Sequence, residues 1–161
     1  MFLGRMVGPF QREFLMTDDI RDLFSYRLAR LARANDRDAQ SSLFGRHGMV
    51  LSEWRTLSVI RVTRPCTLRR LATEDFLDEG QMSRTVKMLV DRGWVARTPA
   101  PDDGRSFLLA LTPEGEAVYQ SILPEVIAAN EAMLVCLTAE ERQHLMSALQ
   151  KILDALRAAA Q

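Results

Sequence analysis

A mainly α-helical chain with one small β-hairpin is the fold class predicted by three observations. Apolar residues recur at spacings of three and four through most of the 161 residues. One segment breaks that period: in "VARTPAPDDGRSFLLALTPEG", residues 95–115, two strand-like runs flank a knot of Pro, Asp and Gly. Residues that start and stop helices stand at the joints between these runs.

Residues 1–16, "MFLGRMVGPFQREFLM", lack the long apolar core and small-residue cleavage site of a signal peptide, and are expected to be a poorly ordered leader. A helix is predicted from Thr17 to about Arg37, with Ile20, Leu23, Phe24, Leu28 and Leu31 on one face. The stretch "RDAQSSLFGRHGMV" is weakly patterned and holds two glycines, which predicts a turn or a broken short helix. Ser52 suits an N-cap for "EWRTLSVIRV", which buries Trp54 and Leu57, and Pro65 stops that helix. Thr67 caps "LRRLATEDF", "LDEG" is a turn, and "QMSRTVKMLVDR" forms the next helix. Met82, Val86, Leu89 and Val90 share one of its faces, and Gly93 closes it at C′, where positive φ is cheap. After the hairpin, Thr112 caps a helix with Pro113 at N1, running to about Leu137. "TAEE", 138–141, is a capping box for a last helix with Leu145, Leu149, Ile152, Leu153 and Leu156 on one side.

The composition narrows the function classes. A 47% apolar content fits a globular protein. No apolar run approaches the roughly 20 residues that span a bilayer, and the two cysteines make no disulfide framework. These features predict a cytoplasmic chain without a membrane partner. Net charge is zero but unevenly spread: nine Arg/Lys against seven Asp/Glu in 1–60, nine against seven in 61–112, and three against seven in 113–161. No Ser-His-Asp grouping, phosphate loop or paired-carboxylate motif appears, so neither an enzyme nor a cofactor is expected. His47 and His144 lack ligand neighbours at metal spacing.

Two short helices joined by a tight turn make a helix-turn-helix, whose second helix fits the major groove of a duplex. Its outward residues suit that role: Gln81 pairs with adenine, Arg84 with guanine, Ser83 with a base or phosphate, and Lys87 reaches a base or the backbone. The hairpin follows directly. Its tip Arg105 suits a narrow minor groove, Asp103 can hold that guanidinium, and Arg97 at the ribbon's base can meet a phosphate.

With these elements in place, "LSEWRTL", "LRRLATEDFLDEGQMSRTVKMLVDRGWVAR" and "PDDGRSFLLALTPEGE" resemble a regulator of the MarR family (multiple antibiotic resistance regulator). The resemblance covers nearly all of the chain from Thr17 on. It implies a winged helix-turn-helix with N- and C-terminal dimerisation helices, an obligate homodimer, a pseudo-palindromic double-stranded operator, and release by a small-molecule effector. The recognition positions fall on Ser83 and Arg84, with Gln81, Thr85 and Lys87 beside them, and the wing pair on Arg105 and Asp103. The implied organisation is a dimerisation helix and linker at 17–50, the DNA-binding module at 51–112, and dimerising helices at 113–161. The segment "EDFLDEG" departs from many relatives: Asp75, Asp78 and Glu79 put acid near DNA, and Glu79 either borders a phosphate path or stabilises the helix dipole. Tyr26, His47 and Trp54 are candidates to line an effector pocket, with core packing the alternative for Trp54. A protein-docking module, or a redox switch at Cys66 with Arg64, Arg69 and Arg70 nearby, are competing readings.

Overall fold

The computed structural model of the protein describes residues 19–63, 66–74, 79–100 and 103–159, and of 43–45, 74 and 103–105 the backbone alone. The expected leader at 1–16, the stop at Pro65 and the first half of the "LDEG" turn lie outside the described residues, while Glu79 and Gly80 of that expected turn belong to a helix. The chain divides after Leu51 into two units.

The first unit is one long helix and its start. The Asp19 carboxylate accepts the Arg21 N–H at 2.9 Å and caps a 3-10 turn over Ile20–Asp22. Arg21 holds that carboxyl below its usual range through a side-chain hydrogen bond. Helix α1 therefore spans Phe24–His47 rather than starting at Thr17. It also runs through the stretch read as a turn. A single interior glycine costs only ~1 kcal/mol against alanine, so Gly45 is tolerated. Gly48 is the real stop, at a left-handed φ of 57°. Beyond it the Leu51 N–H donates to the Gln40 side chain at 3.1 Å.

The second unit carries the rest of the helices and the hairpin. Helix α2 spans Leu51–Val62, so Ser52 lies inside it and is not its cap, while Trp54 and Leu57 are buried as expected, together with Ile60. Helix α3 spans Leu68–Glu74, and the Thr67 hydroxyl accepts the Arg70 N–H at 3.3 Å. Helix α4 spans Glu79–Asp91 and ends at Gly93, φ 74°. Strands β1, Val95–Ala100, and β2, Asp103–Leu111, pair antiparallel from Val95↔Leu111 to Pro99↔Phe107, and the register slips at Pro99/Ala100. The ribbon is longer than the sequence suggests, because Pro99 is tolerated on an edge strand near a tip. A third short rung braces it: the Leu109 N–H donates to the Cys66 carbonyl at 2.8 Å, and Thr67 bridges Leu108.

Helix α5 spans Pro113–Leu134, with the Thr112 hydroxyl accepting the Gly115 N–H at 3.0 Å. Helix α6 spans Ala139–Ala159 behind the predicted capping box: the Thr138 N–H donates to Glu141 at 2.8 Å and the Glu141 N–H to Thr138 at 3.3 Å. The two helices meet at 108°. Arg142 ties the corner by donating to the Leu134 carbonyl at 3.1 Å and to Glu131 at 2.7 Å.

Leu57, Leu71, Met82, Val86, Leu89, Val95 and Ile122 are almost fully buried, so α2, α3, α4, β1 and α5 share one core. At about 1.5–3 kcal/mol per buried large side chain, this core is what holds α4 and the hairpin in a fixed relation. The architecture is a winged helix-turn-helix, preceded in sequence by α1 and followed by α5 and α6. No single described helix is long and apolar enough to cross a membrane.

Candidate nucleic-acid interface

Helix α4 is split lengthwise by burial. Met82, Thr85, Val86 and Leu89 face the core, while Gln81, Arg84, Lys87 and Met88 are exposed. This is the 3.6-residue period of a helix lying on a core with one face open. Gln81 and Arg84 stand one turn apart on that open face, as the sequence predicts. Lys87 joins them, paired with Asp91 at 2.6 Å in an exposed i,i+4 contact. Such a pair is worth only about 0.3–0.5 kcal/mol, so Lys87 exchanges partners at little cost.

Thr85 is a correction. It is only 9% exposed, and its hydroxyl donates to the Gln81 carbonyl at 3.4 Å. Its side chain thus belongs to the inner face of α4, beside the open one. The small polar residue suited either face, and packing decided.

Ser83 and Arg97 are brought together by the fold. With Arg69, Ser106 and Phe107 they line a cleft of about 410 Å³ between α3, α4 and the hairpin, and Glu79 borders it. Arg97 is exposed on β1, and neither Arg84 nor Arg97 enters an ion pair among the described residues. Arg69, near Cys66 in sequence, joins this cleft from the first turn of α3, and its place just after the Thr67 cap is the only sequence signal for it. Glu79 sits in the first turn of α4, where a carboxylate stabilises the positive end of the helix dipole. The side chains of Asp103 and Arg105 lie outside the described residues, so the wing-tip pair is located here only by its backbone on β2.

The proposed effector trio is not assembled. Tyr26 and His47 stand at opposite ends of α1, and twenty-one residues at 1.5 Å each separate them by about 31 Å. They cannot line one small pocket of a subunit. Trp54 is 6% exposed and stacks on Tyr119, with ring centroids 5.1 Å apart and planes 12° from parallel. The Arg61 guanidinium lies 4.5 Å over the other partner, Tyr119, and pairs with Glu116 at 2.9 Å. The Glu116 hydrogen bond raises the Arg61 pKa. Trp54 is therefore a packing residue that joins α2 to α5, the alternative that the sequence left open for it.

Cys66 is 3% exposed, and burial pushes its thiol up to about 11, against a smaller opposing pull from Arg70. Cys136 is exposed. Among the described residues, no three His, Cys, Asp or Glu side chains cluster to hold a metal.

The fold that presents this helix face and wing is shared with known proteins. Residues 47–106 match the family model described as "MarR family". The multiple antibiotic resistance protein MarR of Salmonella typhimurium is 30% identical over 109 residues, 63% of this chain and 72% of that protein. A cysteine-to-serine mutant of MarR from E. coli, complexed with operator DNA, is 27% identical and superposes with a TM-score of 0.73 over 85% of this chain and 99% of that one. A MarR/EmrR family transcriptional regulator from Acinetobacter sp. ADP1, at 22% identity, has the same fold, with a TM-score of 0.76 over 82% of this chain and 93% of its own. Sequence and fold thus agree along most of the described length, and the chain is a member of the MarR family of transcriptional regulators.

Proposed function

We propose that the protein is a homodimeric repressor that reads a pseudo-palindromic operator and whose affinity is tuned by a small molecule. The observation that carries the reading is the open face of α4: Gln81, Arg84 and Lys87 exposed in phase, with Ser83 and Arg97 in the adjoining cleft. Arg and Gln are the side chains that make bidentate contacts with guanine and adenine in the major groove. The operator-bound E. coli relative supports carrying this face over to DNA. Arg105, at the wing, is assigned to the minor groove and Asp103 to holding it.

The dimer is supported by what the single chain leaves uncovered. Helix α6 has no buried residue, although Leu145, Met146, Ile152, Leu153 and Leu156 are apolar. On α1, Phe24, Leu28 and Leu31 are likewise exposed. A two-fold pairing of such stripes removes them from water and sets two recognition helices about 34 Å apart, one turn of DNA.

The test is to select bound fragments from the source genome, then measure affinity by band retardation. Arg84→Ala is expected to weaken operator binding by about 1–3 kcal/mol and to relax one base position. Arg105→Ala is expected to weaken binding across sequences more evenly. Affinity that survives both changes would remove these residues from the interface. A protein-docking role instead of DNA binding predicts no steep fall of duplex affinity with rising salt, because no phosphate counterions are released.

The redox reading is disfavoured by the burial of Cys66. With its pKa pushed to about 11, the thiolate is roughly one part in a few thousand at pH 7.5. In the native protein Cys66 is expected to react with Ellman's reagent at least ~100-fold more slowly than exposed Cys136. Equal rates would restore a sensor role.

A further inference from the structure

Glu53 is a carboxylate with no solvent exposure, placed in the first turn of α2. A buried charge is costly to maintain unless it is paired. Arg92, one residue past the end of α4, forms an ion pair with it: its Nε lies 3.0 Å from Glu53 Oε1, an oxygen that accepts no hydrogen bond. The Arg92 guanidinium also lies 4.7 Å over the Trp94 ring. Around this point the chain is pinned from several sides. The Gly93 N–H donates to the Val90 carbonyl at 2.9 Å and the Trp94 N–H to the Leu89 carbonyl at 3.0 Å. Thr112, the cap of α5, donates its hydroxyl to the Gly93 carbonyl at 2.7 Å and its N–H to the Trp94 carbonyl at 3.0 Å.

The C-terminal end of α4 is therefore a pivot shared by α2, β1 and α5. The attachments to β1 and α5 run through backbone groups and the Thr112 hydroxyl. Besides apolar packing and the Thr56 hydroxyl, which donates to the Met82 sulfur at 3.7 Å, α2 adds the Glu53 ion pair. We propose that Glu53, acting through Arg92, is a positioning residue that sets the tilt of α4 and so the specificity of base reading. The proposal rests on the DNA-reading function above.

The geometry explains why tilt matters. Gln81 lies ten residues from Asp91, about 15 Å along the helix, so a tilt of about 5° moves it roughly 1.3 Å. Hydrogen bonds to base edges span only about 2.7–3.2 Å and fail under such a shift. Phosphate contacts from long flexible cations adapt to it, and they supply most non-specific binding. Loosening the pivot thus lowers operator affinity while leaving affinity for unrelated duplex in place. A residue that served stability alone would not change that ratio in a folded variant.

The experiment uses the full chain, an operator duplex selected by the wild-type protein, and a scrambled duplex of the same length. Glu53→Gln and Arg92→Gln are each expected to lose roughly tenfold in operator affinity, the scale of one base-edge pair, with scrambled-duplex affinity unchanged. The double variant is expected to lose less than the sum of the two single losses, because the two residues share the ion pair. An operator-to-scrambled ratio equal to wild type in either folded variant overturns the proposal. Arg92 retains 37% side-chain exposure, so Arg92→Gln carries the test if Glu53→Gln fails to fold. Amide hydrogen exchange over residues 86–95 reads the pivot without DNA: faster exchange in Arg92→Gln supports it, and unchanged exchange counts against it. A wild-type protein that does not discriminate the two duplexes defeats the DNA-reading function instead, and the exchange result then stands alone.

Discussion

Gly115→Ala is expected to destabilise the protein by about 3 kcal/mol or more, the upper range for overpacking. Propensity argues the other way. Gly115 lies in the first turn of α5, and alanine is favoured over glycine inside a helix by about 1 kcal/mol. The tertiary contact reverses the sign. A Cβ at this position would sit 2.8 Å from the carbonyl carbon of Trp94 and 3.1 Å from its Cα, with the carbonyl oxygen nearer still. The obstacle is backbone, which cannot swing aside as a long side chain can. Relief requires α5 to lift from the start of β1, which breaks the Thr112 bonds to Gly93 and Trp94. Urea titration or thermal melting measures the effect, with a melting point lowered by about 6–12 °C at this chain length. A variant as stable as wild type would show that α5 and Trp94 do not approach so closely.

Leu153→Glu is expected to turn the proposed dimer into monomer and to cut operator affinity a hundredfold or more, because linking two DNA modules raises affinity by about 10²–10⁴-fold. Leu153 is 39% exposed on a helix with no buried residue, so the single chain tolerates the change. In a two-fold interface the new carboxylate would be desolvated and set near its own copy, and both effects oppose association. Light scattering gives the mass and band retardation the affinity. Unchanged mass would move the interface off this stripe, and a monomeric wild type would remove the dimer altogether.

Much of the chain was legible where signals are local. Thr112 with Pro113, the Thr138–Glu141 box and Gly93 at C′ each depend on residues within a few positions, and each stands where it was expected. The period of Met82, Val86 and Leu89 likewise marked the inner face of α4. The failures occurred where local signals tie. Gly45 and Gly48 look alike in sequence, yet only Gly48 adopts a left-handed φ, so α1 outran its expected end by ten residues. Thr85 suits either side of a helix by polarity, and the core claimed it. Tyr26, His47 and Trp54 were joined by residue type alone. The length of one helix separates the first two, and the stacking on Tyr119 takes the third.

From residue order alone came most of the helices, the caps at Thr112 and Thr138, the wing and the family likeness, because hydrophobic period and capping chemistry act over a few residues and are written in them. Folding in three dimensions settled which partners meet across the chain: Glu53 with Arg92, Trp54 with Tyr119, Gly115 against Trp94. Those pairs lie far apart in sequence, and no local pattern encodes them. They form only when burial of a common core brings α2, α4 and α5 to one place, and that placement is what aims the open face of α4 outward.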